Sequence, residues 1–244
     1  MRTLLITVSA LALAACGGDS DGNVVTAPAG SVENVAAPAG QNWTEVVERT
    51  PEGGFRMGNP DAPLKLVEYG SRSCPACANF SETASEPLKQ QYVASGKVSF
   101  EYRDFIRSPL DISASLVGQC GGTAAFFPML EGMMADQTAV FERLEAAGEG
   151  LQAQLQGMPP AQQAGALADA LGYVEFAKAR GVPEPQLRQC LADTNAAQAL
   201  ADGTQSAAQE YNLPGTPTFL LNGKVVPNAV AWPQVEQALK AAGA

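Results

Sequence analysis

Histidine is absent from all 244 residues. That single gap removes Cys–His nucleophilic pairs, imidazole base catalysis and histidine-ligated zinc or copper. Positive charge is scarce as well: 15 Lys and Arg stand against 25 Asp and Glu, for a formal net charge of −10. No cluster of basic residues is present to neutralise phosphates, which makes nucleic acid a poor candidate partner. The apolar run from Leu4 to Leu13 is too short to cross a bilayer as a mature helix. No cofactor or metal is expected. The chemistry that remains must come from sulfur, carboxylates and the backbone.

Enough is present to fold. Hydrophobic residues make up 46% of the chain, which supports a real core and argues against wholesale disorder. Residues 1–15 read as a targeting segment, with Arg2, the apolar run and small residues before a cysteine. Leu13-Ala14-Ala15-Cys16 matches the bacterial lipobox, in which cleavage leaves a lipid-bearing cysteine at the new N-terminus. The plainer reading is ordinary signal cleavage near Ala14 with Cys16 incidental. Residues 16–42 are rich in Gly, Ala, Pro, Ser and Asn, and Ala-Pro-Ala-Gly occurs twice, so they are expected to form a flexible tether. With Cys16 lipidated, four thiols remain. In an exported chain that even number suggests two pairs, and Cys120 and Cys190 are expected to form a structural disulfide.

The first pair is Cys74-Pro75-Ala76-Cys77, directly after the strand-like run Leu64–Tyr69. A cysteine at a helix N-terminus faces unpaired N–H groups and the positive end of the helix dipole, which lowers its pKa. Half of a zinc site and an inert structural pair are the bland alternatives. Zinc needs four ligands, histidine is missing, and Cys120 and Cys190 do not form a second close pair. Around this motif, Val46–Arg49 and Phe55–Met57 flank a turn. Ala78–Val93 carries a helical stripe that Pro87 should kink or break, and Val98–Tyr102 alternates as a strand. Strand, helix, strand reads as a βαβ unit with parallel strands. Residues of about 110–210 read as helical throughout. Thr218–Leu221 and Lys224–Val226 flank Asn222-Gly223, a strong hairpin signal, and a last helix opens at Trp232-Pro233.

Taken together, Gly58-Asn59-Pro60-Asp61-Ala62-Pro63, the strand ending Glu68-Tyr69, the Cys74–Cys77 motif and Gly215-Thr216-Pro217-Thr218-Phe219 resemble the DsbA-like thiol–disulfide oxidoreductases of the thioredoxin superfamily, here in lipoprotein form. The resemblance runs from about Gly58 to the C-terminus. It implies an α/β thioredoxin fold with a helical domain inserted between its two halves, occupying about 110–210 of a domain spanning 43–244. It also implies that Cys74 is the attacking thiolate and Cys77 the resolving cysteine. Thr216-Pro217 would be a cis-proline turn that pairs with extended substrate. Glu68 would lie beneath the disulfide and relay protons to Cys77; a carboxylate reaching solvent at a strand end is the other reading. Phe126, Phe127, Met129, Met133 and Met134 are expected mostly as core, with a substrate groove as the alternative.

The implied function is disulfide exchange with reduced or misoxidised exported proteins, together with an unidentified redox partner that resets Cys74–Cys77. The expected place is the periplasm-facing bacterial envelope, with a lipid anchor in the membrane. The absence of an acidic retention signal at Gly17 favours the outer membrane. Oxidase is the expected direction, and reductase or isomerase the runner-up. A redox-inactive binding module or chaperone that kept the fold is a third reading. One departure bears on direction: strongly oxidising family members commonly carry histidine where this chain has Ala76. Arg72 could substitute in part, although an exposed surface arginine is the expectation.

Overall fold

The computed structural model describes residues 31–244, so Cys16 and the expected signal segment 1–15 lie outside the described residues. Six strands form one sheet: β1 (Val47–Arg49), β2 (Phe55–Met57), β3 (Leu64–Gly70), β4 (Val98–Asp104), β5 (Thr218–Leu221) and β6 (Lys224–Val225), in the order β1-β2-β4-β3-β5-β6. Only β3 and β4 pair in parallel; every other neighbouring pair is antiparallel. The parallel pair is joined by helix α1 (Pro75–Pro87), and β5 lies on the far side of β3. The strand that ends at the CxxC motif is therefore central.

Two-residue alternation sorts the strands into faces. Leu64, Leu66, Phe100, Tyr102, Phe219 and Leu221 meet Phe80 and Leu88 with Val235 and Leu239 of the last helix, α9 (Trp232–Ala241). The opposite face carries Val67, Tyr69 and Leu220 against Ala207. Proline ends α1 at Pro87. The chain continues as a single π-helical segment, Leu88–Val93, closed by Ala94 N–H to Lys89 O at 2.8 Å. A proline has no N–H to donate to the carbonyl four residues back, in the preceding turn, and the wider turn absorbs the mismatch.

Seven helices separate β4 from β5: α2 (Pro109–Cys120), α3 (Gly122–Ala135), α4 (Gln137–Gln156), α5 (Pro160–Ala170), α6 (Tyr173–Lys178), α7 (Glu184–Ala192) and α8 (Thr194–Tyr211). Most of this insert has its own core, including Leu110, Val117, Leu167, Leu171 and Leu187. Helix α3 serves both layers. Its Phe126 stacks on Phe55 at 3.8 Å between centroids and joins the sheet core with Phe127, whereas Met129 and Met133 face the insert. All five side chains of the aromatic and methionine stripe are buried as core, and Phe127 and Met134 also form part of the wall of a narrow cleft between α1 and α3. A disulfide joins Cys120, the last residue of α2, to Cys190 in α7 across 70 residues of sequence. Closing a loop of that length stabilises the fold by roughly 4 kcal/mol in the chain-entropy model.

The segment expected to be a free tether is docked in its described part. Val32 N–H donates to Gly243 O and Val35 N–H to Ser95 O, both at 2.9 Å, and the Trp43 indole donates to Val35 O at 2.7 Å. Gly96 admits the arm: a Cβ there would sit 2.2 Å from Val35 O. Ser95 and Gly96 precede β4, so the arm lies at the sheet end opposite the CxxC motif. Composition suggested coil because the arm contributes only backbone groups to these bonds, which leaves no side-chain signature within it.

Candidate active site

After β3 the chain turns through Ser71, Arg72 and Ser73, closed by Cys74 N–H to Ser71 O at 3.1 Å. Cys74 then occupies the N-cap of α1 in extended conformation, with Pro75 at the first helical position. That is where proline fits, since its missing donor would have had no intrahelical partner. Cys74 is only 4% exposed and Cys77 is fully buried; among the described residues both are free thiols, and they stand close together. In its thiol form Cys74 Sγ donates to Thr216 O at 3.1 Å, and Cys77 Sγ receives Ser71 N–H at 3.5 Å.

The two sulfurs have opposite titration behaviour. Cys74 is drawn down to about 5, chiefly by the Cys77 thiol and, against the cost of burial, by the Thr216 hydroxyl and the N–H groups of Cys77 and Ala76. Those N–H groups are the free donors of a helix start, and they make a thiolate bearable without any cationic neighbour. Among the described residues the buried Thr216 hydroxyl has no hydrogen-bond partner of its own. Burial, then Cys74 and Glu68, pushes the Cys77 thiol far above its ordinary range. Glu68, two residues before the end of β3, is 3% exposed and is likewise pushed well up, first by burial and then by the Cys74 charge. One negative charge resides at Cys74, and the groups beneath it stay neutral.

The turn that carries this arrangement is held from the insert. The Asp111 carboxylate at the start of α2 accepts Ser71 Oγ (2.8 Å), Ser73 N–H (2.9 Å) and Ser73 Oγ (3.0 Å), along with Arg107 N–H (3.0 Å) and Ser108 N–H (3.2 Å). From α4, Gln137 Nε2 donates to Arg72 O at 3.0 Å and Cys74 O at 3.1 Å. Arg72, expected at the surface, has a fully buried side chain. Its Nε lies 2.9 Å from Asp104 Oδ1, and Asp104 also accepts Ser115 Oγ (2.7 Å) and Gln119 Nε2 (2.9 Å). Gly118 makes room for it, since a Cβ there would lie 2.6 Å from the guanidinium. With its charge matched by Asp104, Arg72 is a structural ion pair and does not replace a histidine beside Cys74. Asp111, Gln137 and Asp104 escaped the sequence reading. Ser108-Pro109-Leu110-Asp111 is a legible capping box that could have flagged Asp111; Gln137 carries no local signal.

Of the residues expected at the site, Cys74, Cys77, Glu68, Thr216 and Pro217 come together at one end of the sheet, and the Thr216–Pro217 bond is cis. Cys120 and Cys190 are disulfide-bonded within the insert, apart from this cluster.

A dithiol at the helix start after a central strand, facing the loop ahead of an antiparallel strand, defines a thioredoxin-fold redox site. A thioredoxin family model matches residues 50–241, and the chain belongs to that family. Among solved structures, a protein-disulfide isomerase from Novosphingobium aromaticivorans is 30% identical with a TM-score of 0.73, covering 78% of this chain and 96% of that one. The α-DsbA1 of Wolbachia pipientis shares the fold, with a TM-score of 0.54 at 17% identity, over 68% of this chain and 73% of that one. Among curated proteins, one from Rickettsia bellii, provisionally named a protein-disulfide oxidoreductase, is 25% identical over 73% of this chain. The chain spans 61% of that relative's length.

The depressed Cys74 thiol predicts a titration. Thiolate absorbance near 240 nm in the reduced protein should rise with a midpoint near pH 5. A midpoint near the free-cysteine value of about 8.5 would contradict the geometry. Because the folded pKa lies below the unfolded one, the reduced form should gain stability as pH rises from about 5 toward 9, and lose it on acidification through that window.

Proposed function

We propose that this chain is a thiol–disulfide oxidoreductase that exchanges disulfides with exported proteins through Cys74 and Cys77, working as an oxidase. The observation that carries this reading is the Cys74 sulfur at the start of α1, stabilised as a thiolate above a buried, neutral Cys77. A stabilised thiolate is a good leaving group, so the oxidised pair gives up its disulfide readily.

In the oxidase direction a substrate thiolate attacks Cys74 Sγ. The Cys74–Cys77 bond breaks, a mixed disulfide forms, and Cys77 departs as a thiolate. Glu68, neutral in its buried place, supplies a proton to that sulfur. A second substrate thiolate then attacks its own bonded sulfur, the substrate disulfide forms, and Cys74 leaves as the stabilised thiolate. Run backwards, Cys77 gives its proton to Glu68 and attacks Cys74, which releases a bound substrate. The Thr216–Pro217 segment, opposite Cys74 and ahead of β5, offers its backbone to an extended substrate. A separate redox protein of the envelope returns the dithiol to the disulfide.

Isomerase activity is the second reading, favoured by the name of the Novosphingobium neighbour. Two assays with one control divide the readings. Wild type should catalyse the oxidation of reduced ribonuclease, and Cys74→Ser should abolish it. Faster rescue of scrambled than of reduced ribonuclease selects the isomerase. No redox turnover in either assay, or in insulin reduction, leaves only a binding module.

Cys16 is proposed to carry the lipid that places the protein at the periplasmic side of the envelope, in the outer membrane. The Leu13-Ala14-Ala15-Cys16 sequence supports this. Among the described residues no helix is long and apolar enough to cross a membrane. The mature protein should fractionate with membranes and Cys16→Ser should release it; a soluble wild-type protein with an unmodified N-terminus contradicts the anchor.

A further inference from the structure

Glu68 has a neighbour that the scheme above leaves unused. In the parallel register Glu68 lies directly opposite Tyr102, so both side chains emerge on the α1 face of the sheet. Tyr102 is 1% exposed, and among the described residues neither its hydroxyl nor Glu68 Oε1 has a protein hydrogen-bond partner. Gly70 keeps the space between them open: a Cβ there would lie 2.8 Å from Glu68 Oε1 and 2.9 Å from Tyr102 Cζ. Both residues line a narrow cleft between α1 and α3 that leaves about 20 Å³ of room for water centres, with the Lys89–Glu131 ion pair among its lining. One water needs about 10–15 Å³ of such room, so the cleft admits one. Two buried polar groups without partners at one cleft are costly and call for an explanation.

We propose that Tyr102 is a positioning residue for proton transfer at Cys77: through one water in the cleft, its hydroxyl donates a hydrogen bond to the Glu68 carboxylate. The inference rests on the proposed role of Glu68. When the Cys74–Cys77 bond breaks and the Glu68 proton passes to Cys77 Sγ, a carboxylate is left in a buried site. The Tyr102 O–H then points its dipole at that charge and keeps its own proton, until solvent entering the cleft reprotonates Glu68.

The surroundings suit this part. Cys74 and Cys77 face the pair from α1. Arg72 lies over the Tyr102 ring at 5.7 Å and is matched by Asp104, with Tyr173 beyond it, and Lys89 and Glu131 offset each other. Burial and then Asp104 hold the phenol well above its usual range, so it remains a donor at every working pH.

Tyr102→Phe removes the hydroxyl and keeps the ring, and Glu68→Gln is the companion variant. The readouts are the 13C carboxyl titration of Glu68 and the stopped-flow rate of disulfide exchange with a dithiol peptide at neutral pH. Losing one donor should raise the Glu68 midpoint by about half to one pH unit and slow exchange about three- to tenfold. The melting temperature should change little, because the hydroxyl has no protein hydrogen-bond partner to lose. If Glu68→Gln slows exchange while Tyr102→Phe changes neither quantity, the Tyr102 proposal is overturned and the Glu68 role stands. If neither variant slows exchange, both fall.

Discussion

A thiolate buried to within a few per cent of full exclusion is tolerable only where fixed dipoles point at it, and Cys74 meets that condition through the open N–H groups of α1. With no histidine in the chain, no imidazolium can share the task. The helix start, the Cys77 thiol and the Thr216 hydroxyl must do all of it. The rest of the site follows from keeping one charge and no more. Cys77 and Glu68 sit where burial denies them a charge of their own, which prevents repulsion from raising the Cys74 pKa again.

Dipoles act only while they stay aimed, and this gives the insert a mechanical part in the chemistry. Asp111 from α2 and Gln137 from α4 hold the turn between β3 and α1 on both sides, and the Arg72–Asp104 pair fixes its middle against α2. Breaking one member of such a buried pair leaves an uncompensated charge, so these groups act as a unit. Helix α2 also carries Cys120 at its other end, where the disulfide ties it to α7. The insert is thus a clamp on the turn as well as a second layer.

Much of this was readable where the signal is local. A largely apolar run gave β3 and alternation gave β4, Asn222-Gly223 placed the β5–β6 hairpin, and proline beside Trp232 marked the start of α9. The CxxC after a strand and the late Thr216-Pro217 located the site, the second through family resemblance and not through pattern. What escaped depends on partners distant in sequence. Arg72 looked like a surface residue because nothing near it announces Asp104, 32 positions away. Asp111 reads locally as a cap, and only the fold shows that it also receives Ser71 and Ser73. The arm at residues 31–42 looked like coil because its docking uses backbone donors and a glycine-sized gap at Gly96.

The reduction potential of the Cys74–Cys77 couple, measured against glutathione in wild type and Ala76→His, tests most directly whether the Cys77 thiol, the Thr216 hydroxyl and the helix start set the thiolate without a cationic neighbour. DsbA and thioredoxin, with thiol pKa values of about 3.5 and 7, have potentials of about −120 and −270 mV. A Cys74 thiol near 5 places this couple between them. Adding a histidine at position 76 should move it toward the oxidising end, by about 30 mV for each pKa unit gained. A wild-type couple already as oxidising as DsbA, or an Ala76→His couple that does not move, would contradict the account.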